Sequence, residues 1–225
     1  GMAGADSFVF GDGFDILDYS RDPSRVILSV VDGTGSATDG WGAIDNFSGV
    51  DAVIGSAYAD TLNAAGSTIA IGDVLDYEDN ATAITADLAA GQVIAGAGDT
   101  DTVSAFEDVG GTNYADKIYG DGASNSLTGR GGDDTLRGGA GNDILVGTDT
   151  DGTLSVDNAQ AEFDVALYDM DPAGITVSMT MSQHGLVLDG YGGTDTLVDI
   201  DRVIGSAFAD SFVGGSGSQR FRGLG

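Results

Sequence analysis

The residues with chemistry to offer are carboxylates, and they stand at fixed spacing. In "GRGGDDTLRGGAGNDILV" (129–146) a nine-residue unit occurs twice. Each copy begins with Gly, sets Asp133 and Asp134, then Asn142 and Asp143, at its fifth and sixth places, and puts Leu at its eighth. "GTNYADKIY" (111–119) and "GDGASNSLT" (120–128) precede it in register, so four nonapeptides run unbroken from Gly111 to Val146. Column six reads Asp116, Asn125, Asp134, Asp143, and column eight reads Ile118, Leu127, Leu136, Leu145. Elsewhere the same pattern supplies Asp6, Asp15, Asp60 and Asp210. An active site is a singular constellation, whereas these acids recur with the repeat. A chain with one His and no Cys has no plausible Ser-His-Asp set and no zinc motif. The expected chemistry is therefore noncatalytic ion binding.

Composition narrows the partner. The 225 residues carry 36 acidic against 8 basic side chains, a formal charge of −28, and all but three of the acids are Asp. Asp forms turns and disfavours helices, and 38 Gly make long helices unexpected. Nucleic acid and anionic membrane surfaces attract basic patches, yet Lys117 is the only lysine. No apolar run approaches a membrane span. With 41% hydrophobic residues the chain can fold, provided something offsets its self-repulsion.

The repeat itself dictates the elements. The last three residues of "GGAGNDILV" alternate outward, inward, outward, which makes a minimal strand. The first six reverse the chain, with glycines permitting positive φ and close approach. Two nonapeptides make one flat coil, and successive coils stack as parallel strands at about 4.8 Å. The predicted fold class is all-β, a parallel β-roll or solenoid with ion-binding turns. Stacking puts Asp134 one coil above Asp116, and Asp143 above Asn125. Two carboxylates at that separation repel by roughly 1 kcal/mol in water and more in a less polar setting. A hard cation between coils would turn the repulsion into coordination. Calcium, with six to eight oxygen ligands and loose geometry, suits this better than octahedral magnesium.

A longer unit overlies the short one. "FDILDYS" (14–20), "GDVLDYE" (72–78) and "FDVALYD" (163–169) open three segments, and "GVDAVIGSAYADTL" (49–62), "AFEDVGGTNYADKI" (105–118) and "DIDRVIGSAFADSF" (199–212) close them. The expected divisions are 1–72, 73–147 and 148–225 of one continuous solenoid, the last beginning with a polar insertion at 148–162. Tyr19, Tyr77 and Tyr168 recur at one place in each copy, which favours a structural role. Asp45, Asp101 and Asp195 are expected to cap turns, Trp41 to anchor a loop, and His184 to sit at a hairpin tip.

The pattern G-G-x-G-x-D-x-(apolar)-x resembles the calcium-binding nonapeptide of the RTX, or haemolysin-type, proteins, and "GGAGNDILV" is nearly its consensus. The longer copies resemble the extended repeats that link such nonapeptides in very large secreted bacterial proteins. The resemblance implies calcium held between turns of a β-roll, type I secretion, and folding in a calcium-rich extracellular medium. Carried over, the side-chain ligands would be Asp116, Asp134 and Asp143, with Asp6, Asp60 and Asp210 in isolated units. Carbonyl ligands would come from Gly129, Gly131 and Asp133, then Gly138, Ala140 and Asn142. Asn125 and Gln219 depart from the pattern at position six. The function so implied is a structural, spacer or adhesion module with a cell-surface or polysaccharide partner. The alternative is a carbohydrate-binding accessory module of a polysaccharide-modifying enzyme, with Trp41 or Tyr191 against the sugar.

Overall fold

The computed structural model describes residues 3–64, 74–147, 163–181 and 183–225, and among them every regular element is a β-strand. The insertion expected at 148–162 lies outside the described residues. The chain forms two compact units, Gly1–Gly110 and Gly111–Gly225.

The second unit shows the coil in its simplest form. Lys117–Tyr119 pairs in parallel with Thr135–Arg137, aligning Ile118 with Leu136. On the opposite side Ser126–Thr128 pairs with Ile144–Val146, aligning Leu127 with Leu145. Both steps are 18 residues, two nonapeptides to the coil, and the parallel roll is the fold expected from the repeat. The column-eight side chains Ile118, Leu127, Leu136 and Leu145 are wholly buried, with flanking residues facing outward. Each buried Leu or Ile contributes about 1.5–3 kcal/mol, and only a neighbouring coil can bury it. The first stack continues through Val165–Leu167, Arg202–Ile204 and Arg220–Arg222.

The extended repeats depart from a purely parallel roll. Each inserts a three-stranded antiparallel meander whose last strand pairs in parallel with a roll strand. In the first unit these are Ile27–Val31, Thr34–Thr38 and Ile44–Ser48, then Thr85–Asp87, Gln92–Gly96 and Asp99–Ser104. In the second they are Thr176–Met181, His184–Leu188 and Thr194–Val198. The two-residue turn Asp32-Gly33 has φ of 48° and 71°, the left-handed pair that joins twisted antiparallel strands. That Asp-Gly signal marks a hairpin, which nonapeptide periodicity alone does not disclose. The last strand of each meander returns to the nonapeptide register: Leu145 aligns with Leu197, Phe8 with Phe47 and Leu62 with Val103.

Candidate metal centre

Column-six residues form ladders in which each coil caps the one before it. The Asp116 amide donates to Asp134 Oδ1 (2.8 Å), the Asp134 amide to Asp164 Oδ1 (2.9 Å), and the Asp164 amide to Asp201 Oδ2 (3.0 Å). On the other edge the Asn125 amide donates to Asp143 Oδ1 (2.9 Å) and the Asp143 amide to Asp195 Oδ1 (3.0 Å). The first unit repeats the device: the Asp6 amide bonds Asp45, the Asp15 amide Asp51, and the Asp60 amide Asp101. These carboxylates are built into the fold because a strand of three residues leaves its entry amide otherwise unpartnered. One oxygen of each side chain is thereby used.

What becomes of the second oxygen divides the nonapeptides into two kinds. In "GSAYAD" (55–60), Asp60 Oδ2 accepts the Ser56 amide (2.6 Å), and Oδ1 accepts the Ser56 hydroxyl (2.7 Å) as well as the Val26 amide (2.7 Å). In "GTNYAD" (111–116), Thr112 does the same for Asp116, by amide (2.6 Å) and hydroxyl (3.0 Å). A Ser or Thr at position two closes these turns. In "GGAGND" (138–143) position two is Gly139, and Asp143 Oδ2 is buried without a hydrogen-bond partner. Asp210 stands between the two kinds: its Oδ1 accepts the Ser206 hydroxyl (2.7 Å) and the Ile175 amide (3.0 Å), while Oδ2 has no partner.

Asp143 carries the electrostatic consequence. Burial first, then the charges of Asp195, Asp189 and Asp121, push its carboxyl up to about 7, against the pull of the Asn125 amide. An orphaned oxygen on a buried carboxylate that resists ionisation is what a bound cation would correct. Among the described residues no group of three or more His, Asp or Glu side chains is arranged to hold a metal. The remaining ligands must therefore be main-chain oxygens, and the turns bring these between coils. A Cβ on Gly111 would come within 2.7 Å of the Gly129 carbonyl oxygen, and one on Gly120 would land on that of Gly138. Gly138 itself is required because a Cβ there would fall on the Asp143 carboxylate, and Gly139 and Gly141 because their φ values are 102° and 134°. Hard carboxylate and carbonyl oxygens around irregular turns fit calcium.

The RTX calcium-binding nonapeptide repeat family matches residues 110–152 and 199–223, in four copies. The chain carries RTX calcium-binding repeats. Calcium is the ion that such repeats bind, and the all-β roll of parallel strands is the architecture they build here. A search of curated proteins finds no match. The RTX match takes in both kinds of turn, the Thr-closed unit at 111–116 and the open ones at 129–146, together with the intermediate one at 205–210.

Around the open RTX turns, the two edges differ. On the Asp134 edge the Arg130 guanidinium donates to the Gly111 carbonyl (2.8 Å), and Arg130, at position two, adopts φ of 76°. On the Asp143 edge Asp189 and Asp195 bring further carboxylates instead. The Asp133 and Asn142 side chains accept amides of Phe163 and Thr194 (2.9 and 2.8 Å), leaving their own carbonyls as the proposed donors. Asp6 lies half-buried at the first coil, its amide held by Asp45.

The tyrosine of each extended repeat has a defined partner. Tyr19, Tyr77 and Tyr168 donate to Asp45 (3.2 Å), Asp101 (2.7 Å) and Asp195 (2.9 Å), so the meander-closing Asp is held by an amide on one oxygen and a phenol on the other. Burial and the adjoining carboxylate push all three phenols upward. Trp41 is 45% exposed rather than packed. His184 sits beside the hairpin turn, 3.3 Å from Asp199. The sequence reading missed Asp51, Asp164 and Asp201 as ladder members, although each precedes an inward apolar residue by two places. It also passed over the buried pairs Asp22/Asp39 and Asp171/Asp189.

Proposed function

We infer that this chain is a noncatalytic calcium-dependent β-roll module of a secreted bacterial protein, exported by type I secretion and serving as a structural, spacer or adhesion segment. The observation that carries this reading is the orphaned, buried Oδ2 of Asp143 above Gly138, in a chain of charge −28. Asp134 and Asp143 are the side-chain ligands, joined by the carbonyls of Gly129, Gly131 and Asp133 and of Gly138, Ala140 and Asn142. Asp210 contributes one oxygen. Asp60 and Asp116 hold strands with Ser56 and Thr112 and depend less on the ion. Where calcium is scarce the acidic open turns repel one another and the chain stays expanded. Outside the cell, binding to the folded form alone stabilises it as RT ln(1 + [L]/Kd) for each site.

Far-UV circular dichroism during calcium titration of metal-free protein tests this, with magnesium as control. A gain of β signal with calcium only is expected. A full signal in chelator, unchanged by calcium, overturns the reading.

A carbohydrate-binding role has one observation in its favour. Trp41 and Tyr191 occupy equivalent turns of the first and third extended repeats and are 45% and 51% exposed, as sugar-stacking rings must be. The acidic surface confines that role to neutral glycans or to calcium-bridged anionic ones. Quenching of Trp41 emission by neutral oligosaccharides would support it.

A further inference from the structure

The buried aspartates that the nonapeptide ladder does not use are arranged alike in two of the three extended repeats. In the first, Asp39 closes the turn into the last meander strand: its Oδ1 accepts the amides of Trp41 (3.0 Å) and Ala43 (2.7 Å). Asp22, three residues after Tyr19, accepts the Gly40 amide (2.7 Å). In the third, Asp189 accepts the amides of Tyr191, Gly192 and Gly193, and Asp171, three residues after Tyr168, accepts that of Gly190 (2.7 Å). Asp39 and Asp189 are each only 4% exposed, and the Oδ2 of each has no hydrogen-bond partner. Asp22 and Asp171 are 6% and 5% exposed. Each pair faces a third buried carboxylate, Asp45 or Asp195, already held by tyrosine. Among the described residues no ion pair joins Asp22, Asp39 or Asp45 to a basic side chain.

The middle repeat provides an internal control. At the places of Asp22 and Asp39 it has Asn80 and Ala95, and the Asn80 side-chain amide donates directly to the Ala95 carbonyl (2.7 Å). There these two places are closed by neutral hydrogen bonding, although Asp99, four residues after Ala95, keeps a buried Oδ1 without a partner. The same backbone therefore packs with no carboxylate at either place. Two repeats nevertheless keep both carboxylates buried, at a desolvation cost which raises Asp22 and lifts Asp171 to about 6.

We propose that the turns of the first and third extended repeats each hold a further calcium ion, taken by the carboxylate pairs Asp22/Asp39 and Asp171/Asp189. Each ion replaces the missing partner of Asp39 or Asp189 Oδ2. With two carboxylates, the site needs carbonyl or water oxygens to complete its shell, a mixture that calcium accepts. The first-repeat site lies outside the residues matching the RTX nonapeptides, and it stands independently of the function read from Asp143.

Trp41 is the only tryptophan and donates its amide to Asp39, so its indole reports on this turn alone. The experiment is terbium luminescence sensitised by indole, excited at the red edge where tyrosine does not absorb, in the full chain with calcium as competitor. The control is the double variant Asp22→Asn with Asp39→Ala, which rebuilds the middle repeat's pair and so retains a packing the fold already uses. The wild type should give saturable emission that calcium displaces, and the variant should lose it at least ten-fold. The calcium response of the far-UV signal from the nonapeptides should persist in the variant. Absence of sensitised emission in the wild type, or equal emission in the variant, overturns the site. Neither result touches the nonapeptide reading, which fails only with the calcium-dependent β signal.

Discussion

The turn at 55–60 and the turn at 138–143 differ at one working position, and that position decides how the carboxylate is treated. Ser56 supplies an amide and a hydroxyl to Asp60, whereas Gly139 supplies no hydroxyl and leaves Asp143 Oδ2 bare. Both aspartates also accept an amide from a neighbouring coil, Val26 or Asn125. The same residue in the same column thus has two duties, strand capping and ion binding, and in these two turns position two separates them, while Asp210, with Ser206 at that place and a bare Oδ2, stands between. A roll built only of closed turns would stand without metal, and one built only of open turns would need it throughout. This chain mixes them.

The largest expected effect separates the two kinds directly. In chelator, amide hydrogen exchange of Asn125 and Leu127, on the open Asp143 edge, should approach that of the unfolded chain, while exchange of Leu62 beside the closed Asp60 turn remains protected. Uniform protection in both would break the distinction. Next in size is a crossed pair of substitutions. Asp143→Asn keeps an acceptor for the Asn125 amide but removes the charge, so calcium affinity should fall ten-fold or more with metal-free stability unchanged or improved. Asp60→Asn should leave calcium affinity nearly intact and cost about 1–3 kcal/mol in the metal-free protein, since the Ser56 bonds are weakened. Calorimetric titration and denaturant unfolding read the two arms.

Acidity sharpens the comparison further. Folded-state carboxyls raised to about 7 at Asp143 and about 6 at Asp195, Asp171 and Asp101 bind protons more tightly than in the unfolded chain. Their contribution is therefore complete below the unfolded value near 4 and is lost as pH rises through 6 to 7. Metal-free protein should unfold at lower denaturant at pH 8 than at pH 5, and saturating calcium should reverse that order. The smallest effect is local: Ser56→Ala and Thr112→Ala should each cost about 1 kcal/mol without metal and leave the calcium midpoint in place.

The coil, its period and its core column were legible in the sequence because the nonapeptide is short and repeats in tandem. Leu127, Leu136 and Leu145 could occupy no other place in an 18-residue coil. The meanders were not legible from that period, since their middle strands interrupt it; only the hairpin tip expected at His184, the Asp32-Gly33 turn and the apolar alternation in "VILSVV" pointed to hairpins. Among the acids, the column predicted where they would stand but not how each oxygen would be used. That depends on a side chain four residues earlier, Ser56 against Gly139, and on distant neighbours such as Tyr168. Asp39 and Asp189 escaped notice because each lies just outside the nine-residue frame that made the others visible.

The ladders have a direction. In every rung between column-six residues the amide belongs to the earlier coil and the carboxylate to the later one, from Asp6 to Asp45 through Asp143 to Asp195. The two ends of a stack are therefore not equivalent. Within a stack a coil's carboxylate receives the amide of the coil before it, and its own amide is received by the coil after it. Each coil finishes its predecessor and hands its own amide forward, so a rung can close only once the later coil has been made.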